Sequence, residues 1–441
     1  MAAAQVIRAI LGAAEQPVET SAKISVVLKG IDIFTLVIML LFTACYFYQY
    51  VFIPIAWFGK RKIPKADKKN RFAILICGRN EECVIANCID SLLSQKYPDG
   101  MIQIFVCADN CTDRTAEVAK EAGAIVYERR NTEQIGKGFA LEYLFAQIER
   151  DYKDAFDGFI IFDADNIVDP GFVNAMNDML EAGYIASTCY RNTKNYSGNL
   201  VSSTMGLWFL RDSRYLNYPR SVIRSGAAVS GTGFMISKAY LDRIGGWHFN
   251  LLIEDIQFTV DASLRGEKIG YCPDAITYDE QPTRFSTSWN QRLRWTRGYL
   301  QILHRYGGRL IGKMFRGSFT CFDMFMSLSP VYILCVLGQF AYGIGLILSF
   351  FSGSMDYLGV LKDIGIVLGS AYVMFYLIGL FATISEWKRI RSGAGWKILT
   401  TFAFPISMFL FVPITLCALF SKPKWKPIHH DSTVKKDDLI K

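Results

Sequence analysis

Four stretches of the chain carry no charged residue and are almost wholly apolar: Ile33–Gly59, Met324–Ser354, Ile364–Ser385 and Ile398–Ser421. Each exceeds the roughly 20 residues an α-helix needs to cross a ~30 Å hydrocarbon layer. One membrane-spanning helix is therefore expected before a long polar block, and about three after it. The first stretch starts too deep in the chain, and runs too long, for a cleavable signal segment. Tyr46, Tyr48, Tyr50 and Trp57 crowd its far end, as aromatics do at a membrane–water interface.

Between the spans the pattern shortens and alternates. Phe72–Cys77, Ile102–Ala108, Ala124–Tyr127 and Phe159–Phe162 are short apolar runs that predict buried strands. Glu81–Gln95 has helical spacing, with Val84, Ile85, Cys88, Ile89, Leu92 and Leu93 on one face. Arg114–Ala122, with Thr112 and Asp113 as N-cap residues, and Gly138–Ile148 predict two more helices. Strand–helix alternation of this kind predicts an α/β domain: a Rossmann-like, mostly parallel sheet with helices on both faces. The expected organisation is an N-terminal segment with the first span (1–59), a cytosolic domain (60–285), amphipathic interfacial helices (286–323), further spans (324–421) and a basic tail (422–441).

Composition agrees with a mixed membrane and soluble chain. Of 441 residues, 51% are hydrophobic and only 20% charged, and the net charge is a modest +8. Lys60, Arg61, Lys62, Lys65, Lys68, Lys69 and Arg71 follow the first span against the single acid Asp67. This bias places the central block in the cytoplasm of a multi-pass protein of the plasma (inner) membrane. It points to a lipid bilayer rather than nucleic acid as partner. The 11 Cys and 4 His hold no C-x-x-C, so zinc is not expected and most Cys read as free thiols.

In parallel sheets, ligands bind beyond the carboxyl ends of the strands. The polar residues there are Gly78-Arg79-Asn80-Glu81, Asp109-Asn110 and Asp163-Ala164-Asp165. Neither a phosphate-binding lysine loop nor G-x-G-x-x-G follows the first strand, which argues against an NTPase or a dinucleotide dehydrogenase. Two carboxylates one residue apart at a strand end suit a divalent cation that bridges diphosphate oxygens. Further along, Glu254-Asp255 follows an apolar run. Gln291, Arg294 and Trp295 share one helix face, an amide, a guanidinium and an indole that suit a phosphate and a sugar ring. The alternative reading of that helix is a membrane-surface helix with Arg292, Arg294 and Arg297 near headgroups.

In this order, Asp109, Asp163-x-Asp165, Glu254-Asp255 and Gln291-x-x-Arg294-Trp295 resemble the D, D-x-D, E-D, Q-x-x-R-W series of processive, membrane-embedded family 2 glycosyltransferases, the cellulose, hyaluronan and chitin-oligosaccharide synthases. The resemblance covers Phe72 to about Tyr299. It implies a GT-A fold, a UDP-sugar donor, Mg²⁺ or Mn²⁺, and inversion to a β-linkage. It also implies a growing glycan as acceptor, passed outward through the membrane helices; transfer of one sugar to a lipid or short acceptor is the alternative. By the same resemblance Asp109 binds the uracil, Glu81 faces the nucleoside and Lys137 sits near the nucleotide. Asp163 and Asp165 hold nucleotide and metal. Asp255, beside Glu254, is the base. Gln291 and Arg294 grip the diphosphate, Trp295 stacks on the acceptor sugar, and Gly231 and Thr232 lie by the acceptor terminus. In the tail, Trp425 is a candidate gate. Sugar, linkage and oligomeric state are not legible.

Overall fold

The computed structural model describes residues 17–328, 330–352, 357–421 and 434–439. The candidate gate Trp425 lies outside the described residues. The chain forms two compact units, Met1–Tyr48 with Ser329–Tyr372, and Gln49–Leu328 with Val373–Lys441. The first is built from apolar helix: most of Pro17–Phe58, all of Pro330–Ser352 and the start of Tyr357–Ser385. Among the described residues, Lys29–Phe58, Leu368–Ser385 and Ala394–Phe420 are long and apolar enough to cross a membrane.

The second unit is organised by an eight-stranded sheet in the order β3-β2-β1-β4-β7-β6-β8-β5. Its strands are β1 (Phe72–Gly78), β2 (Ile102–Asp109), β3 (Ile125–Arg129), β4 (Gly158–Asp163), β5 (Ile167–Val168), β6 (Ala186–Thr193), β7 (Phe234–Ser237) and β8 (Gly270–Asp279). The four predicted strands are β1 to β4, and they pair in parallel. Their side chains alternate between faces. Phe72, Ile74 and Ile76 pack under Ile85, Ile89 and Leu92 of the Ile85–Leu93 helix on one side. Ala73 and Leu75 pack under Leu141 and Leu144 of the Lys137–Asp151 helix on the other. Both faces are covered, so β1, β2 and β4 read as near-continuous apolar runs, whereas β3 at the edge is only partly buried. A fully buried Leu, Ile or Phe contributes about 1.5–3 kcal/mol relative to exposure.

The other half of the sheet was not legible from the apolar pattern, and it makes the sheet mixed. β7 runs antiparallel between β4 and β6, β6 and β8 are parallel, and β5 closes the edge antiparallel to β8. The sequences of β6 (ASTCYRNT) and β8 (GYCPDAITYD) are rich in polar residues because they deliver side chains to the site. The predicted helix begins at Thr115, so its N-cap is Arg114 rather than Thr112 or Asp113; Asp113 accepts from the Thr115 N–H at 3.1 Å, and Thr112 is engaged with Asn80.

The apolar run Met324–Ser354 divides. A helix Phe319–Leu328 packs against the 30-residue helix Phe285–Met314 through Ile302, Tyr306, Leu310, Cys321 and Met324. The run Ile398–Ser421 is likewise two helices, Ala394–Phe409 and Phe411–Phe420, meeting at Leu410. Pro413 lacks the N–H that would continue the ladder into the preceding turn. Before this segment, Glu386 accepts from Tyr190 of β6 at 2.6 Å. After it, Leu439 packs on Ile167 and Tyr278 of β5 and β8. Arg391 donates to the carbonyl of Asp438 at 3.3 Å, so the two flanks meet.

Candidate active site

β4 ends in Asp163, and the chain turns at once through Ala164, Asp165 and Asn166. A glycine loop, Ser230–Gly233, lies directly across from this turn and is pinned at each residue. Arg191 donates to the Ser230 carbonyl at 2.6 Å, and Lys137 to the Gly231 carbonyl at 2.8 Å. The Thr232 hydroxyl accepts from the Asp163 N–H at 2.9 Å and donates to Asn166. The Gly233 N–H bonds to the Ile161 carbonyl at 2.8 Å. Gly231 has φ +86° and Gly233 has φ +63°, a region that disfavours a β-carbon, and one at Gly233 would also collide with the Cys189 sulfur. Thr232 is fully buried, with its hydroxyl engaged in these bonds. Thr232, expected by the acceptor terminus, holds the Asp163 turn against the loop through that hydroxyl.

Lys137 opens the Lys137–Asp151 helix and pairs with Asp163 as well as with the loop. Burial pushes its pKa down, but Asp163 and Glu254 raise it further, and the net direction is up. Asp165 is held from the opposite side, where its Oδ2 accepts from the Glu280 N–H at 2.8 Å just past β8. Glu280 in turn pairs with the buried Lys194 at 3.1 Å.

Glu254 and Asp255 start the Glu254–Leu264 helix, where the helix dipole favours negative charge. Burial raises the Glu254 pKa to about 7, with Asp255 adding and Lys137 opposing. Burial also raises Asp255, against its bond to the Ile256 N–H and the charges of Lys137, Arg294 and Arg191. Asp255 is the more exposed of the two, and a β-carbon at Gly231 would lie 3.8 Å from its Oδ2.

Asp109 ends β2 as a buried carboxylate. Its Oδ1 accepts from Arg129, the last residue of β3, at 2.6 Å, and from Asn110 at 3.0 Å. Glu81, past β1, has one buried carboxylate oxygen, Oε2, with no hydrogen-bond partner. Burial, with Asp165 and Asp163 nearby, raises its pKa to about 9. The described residues contain no group of three or more His, Cys, Asp or Glu placed to hold a metal ion. The residue types nevertheless suit a divalent cation: Asp163, Asp165 and Glu81 offer hard oxygen donors, the two aspartates raise the Glu81 pKa, and the Glu81 Oε2 is buried without a hydrogen-bond partner.

Gln291, Arg294 and Trp295 do share one face of Phe285–Met314. The Gln291 carbonyl oxygen is buried without a partner. Arg294 donates to the Leu252 carbonyl at 3.0 Å, just before Glu254 and Asp255. Trp295 meets Phe209 edge-on, with ring centroids 6.0 Å apart. Two of the arginines considered for headgroups, Arg292 and Arg297, instead bond to the protein. Arg292 is buried and donates to the Ser407 carbonyl at 2.7 Å, and Arg297 donates to the Ala418 carbonyl at 3.2 Å.

Arg191 is a residue that sequence reasoning missed. It grips Asp279 at 2.6 Å as well as the Ser230 carbonyl, and its guanidinium lies 3.7 Å over the Phe209 ring. It therefore links the glycine loop to the ring that supports Trp295. Arg129, Lys194 and Glu280 were missed too. Each lies at or just past the carboxyl end of a strand, so applying the strand-end rule to β3, β6 and β8 would have found them.

Residues 70–298 match the family described as "Glycosyltransferase like family 2". The chain is a family 2 glycosyltransferase. Curated relatives of this enzyme include a probable glycosyltransferase, YdaM, of Bacillus subtilis, 25% identical over 64% of this chain and 70% of that one. A beta-monoglucosyldiacylglycerol synthase of Nostoc is 26% identical over 59% of this chain, which spans only 56% of that protein. A poly-beta-1,6-N-acetyl-D-glucosamine synthase of Staphylococcus aureus is 25% identical over 63% and 66%. Among solved structures, a mannosyltransferase from Pyrobaculum calidifontis, in complex with GDP-Man and Mn²⁺, aligns with a TM-score of 0.56 at 14% identity. It covers 86% of this chain and 98% of that one. The glycosyltransferase thus has the GT-A type of fold expected from its sequence.

Two raised carboxylates give this enzyme a pH signature. Folded, Glu81 and Glu254 keep their protons to about pH 9 and 7, against an ordinary value of 4.5. The stability they contribute is complete below about pH 4.5 and is lost as pH rises through those values. In chelator, the melting temperature is expected to fall from pH 5 to pH 9, and to fall less with Mg²⁺ present. A flat or rising profile would show that these carboxylates ionise freely.

Proposed function

We propose that this glycosyltransferase moves a sugar from a UDP-sugar onto an acceptor hydroxyl with inversion, at a membrane surface, and that it extends a β-linked glycan and passes it outward. The observation that carries this reading is the shared loop: the Asp163 turn and the Glu254-Asp255 pair face Ser230–Gly233 from two sides, and Lys137 bonds both the loop and Asp163. Donor and acceptor groups would meet at one point.

In this reading Asp255 takes the proton from the acceptor hydroxyl as it attacks the anomeric carbon. Glu254, buried behind it with a pKa near 7, keeps the region from carrying two full negative charges. Arg294 and Gln291 hold the diphosphate through their N–H groups, and the orphaned Gln291 oxygen is left to accept from a sugar hydroxyl. Asp109, its Oδ1 fixed by Arg129, meets the base. Trp295 offers its indole face to the acceptor sugar. Asp163, Asp165 and Glu81 would hold Mg²⁺ or Mn²⁺, which when bound neutralises the leaving diphosphate.

Chelation is expected to abolish transfer, and Asp165→Ala to weaken donor binding, read by titration with UDP in Mn²⁺ buffer. Full turnover in excess EDTA would remove the metal from the site.

A second reading keeps the chemistry and gives one sugar to a lipid. It is supported by the arginine bonds from Phe285–Met314 to Ala394–Phe420, which set the acceptor face beside an apolar helix pair. Labelled UDP-glucose, UDP-N-acetylglucosamine, UDP-glucuronate and UDP-galactose, each with and without diacylglycerol, distinguish the two by product mass. A ladder of masses supports the polymer, a single lipid-linked sugar the second reading, and no UDP release with any donor would sink both.

The meeting of Arg391 with Asp438 supports a segment that enters the bilayer and returns, which leaves the tail beside the cytoplasmic domain. Cysteines at these two positions are expected to be joined by a short bifunctional thiol reagent in membranes. Absence of the crosslink, with both cysteines reactive, would favour a complete crossing.

A further inference from the structure

Behind β6, on the face opposite the active site, lies a cavity of about 580 Å³ that the transfer reaction does not use. Adjacent residues of a strand point to opposite faces. Arg191 faces the glycine loop, and Tyr190 faces this cavity. Its other wall is the end of the apolar helix Tyr357–Ser385 and the turn Glu386–Arg389 that follows.

Arg214, Lys388 and Arg389 line it, against the acids Glu386 and Asp274. Glu386 is already engaged: it is buried, accepts from the Tyr190 hydroxyl at 2.6 Å, and lies 3.7 Å from Arg214 and 4.0 Å from Arg389. Asp274 is exposed at the rim. The Arg214 Nε is buried and has no hydrogen-bond partner. A buried guanidinium N–H without a partner is costly, and an anionic oxygen would satisfy it.

The mouth is apolar in a particular direction. Leu377, Phe381 and Ile384 are all exposed and fall on one face of the candidate span Leu368–Ser385. Ile384 itself lines the cavity. Trp387, 38% exposed, stands where the span ends, and Lys397 steadies it from 4.6 Å over the ring. Tryptophan at this depth belongs to the headgroup layer.

We propose that this cavity binds the headgroup of an anionic phospholipid. The phosphate meets Arg214, Lys388 and Arg389, and the acyl chains run along Leu377, Phe381 and Ile384. A free phosphate would use the cations but leave the apolar stripe uncovered, so the stripe assigns the site to a lipid.

The test uses the full chain in a neutral detergent, titrated calorimetrically with dihexanoyl phosphatidylglycerol, dihexanoyl phosphatidylcholine and inorganic phosphate. The glycerol lipid is expected to bind at least roughly tenfold more tightly than either comparator, the scale of one charge-assisted hydrogen bond. Arg214→Gln with Arg389→Gln is expected to erase that preference. Lys62→Gln with Lys68→Gln, which removes two exposed charges elsewhere, is expected to keep it. Lys388 is exposed, so Lys388→Glu provides a decisive variant should the double one fail to fold, and it too is expected to weaken the lipid. Equal affinity for the two lipids, undiminished binding in the cavity variants, or phosphate binding as well as the lipid would overturn the assignment.

Discussion

Asp255→Asn is expected to lower transfer by about 10² to 10⁴-fold while leaving UDP affinity nearly unchanged. Asparagine keeps the size of the side chain and can still face Gly231, so the ground-state contacts survive. Its basicity is gone, and the acceptor proton has no acceptor. The geometry makes the prediction specific to this residue. Glu254 is 7% exposed and its pKa is raised to about 7, whereas Asp255 stands more open beside the loop. Glu254→Gln should therefore cost less in the same assay and should shift the pH profile, because it removes a charge next to the base. Initial rates with saturating donor and acceptor, together with calorimetric UDP binding, measure both effects. Near-normal turnover in Asp255→Asn would reassign the base.

Arg129→Met is expected to destabilise the catalytic unit by about 3–5 kcal/mol, because it leaves Asp109 as an unpaired carboxylate in a buried place. The guanidinium bonds Asp109 at 2.6 Å and the Gln134 carbonyl at 2.8 Å, and both side chains of the ion pair are almost fully covered. Removing both partners should behave differently. Arg129→Met with Asp109→Leu replaces the pair by apolar groups of similar volume and should recover much of the stability. It should not recover UDP binding if Asp109 contacts the base. Urea unfolding followed by tryptophan fluorescence, alongside UDP titration, separates the two roles. Equal stability of the single and double variants would show that the pair is not what holds the β2 and β3 ends together.

The sequence by itself determined the half of the fold in which burial is complete. β1, β2 and β4 are covered on both faces, and only unbroken apolar runs satisfy that condition. The apolar helices were legible for the same reason, since an apolar environment leaves no choice of residue type. Asp163, Asp165, Glu254 and Asp255 stood out because they form short, ordered clusters at the ends of apolar runs; that they gather around Ser230–Gly233 did not, because β7 beside that loop was not legible. Gln291, Arg294 and Trp295 were placed on one face by helical spacing alone, and the helix obliges.

Tertiary structure decided what depends on partners far away in the chain. Nothing in the sequence says that Arg191 reaches Asp279, 88 residues on, or that Thr232 spends its hydroxyl on the Asp163 turn, 69 residues back. β6 and β8 were hidden because strands that feed polar groups into a site lose the alternation that marks a strand. The arginines of Phe285–Met314 looked like headgroup ligands because charge on a helix near a membrane suggests water. Arg292 and Arg297 turn inward because the broken helices beside them expose carbonyls that need donors, at Ser407 and Ala418. Nor does any residue pattern announce that Arg391, before Ala394–Phe420, meets Asp438 after it; only the folded chain brings these two flanks together.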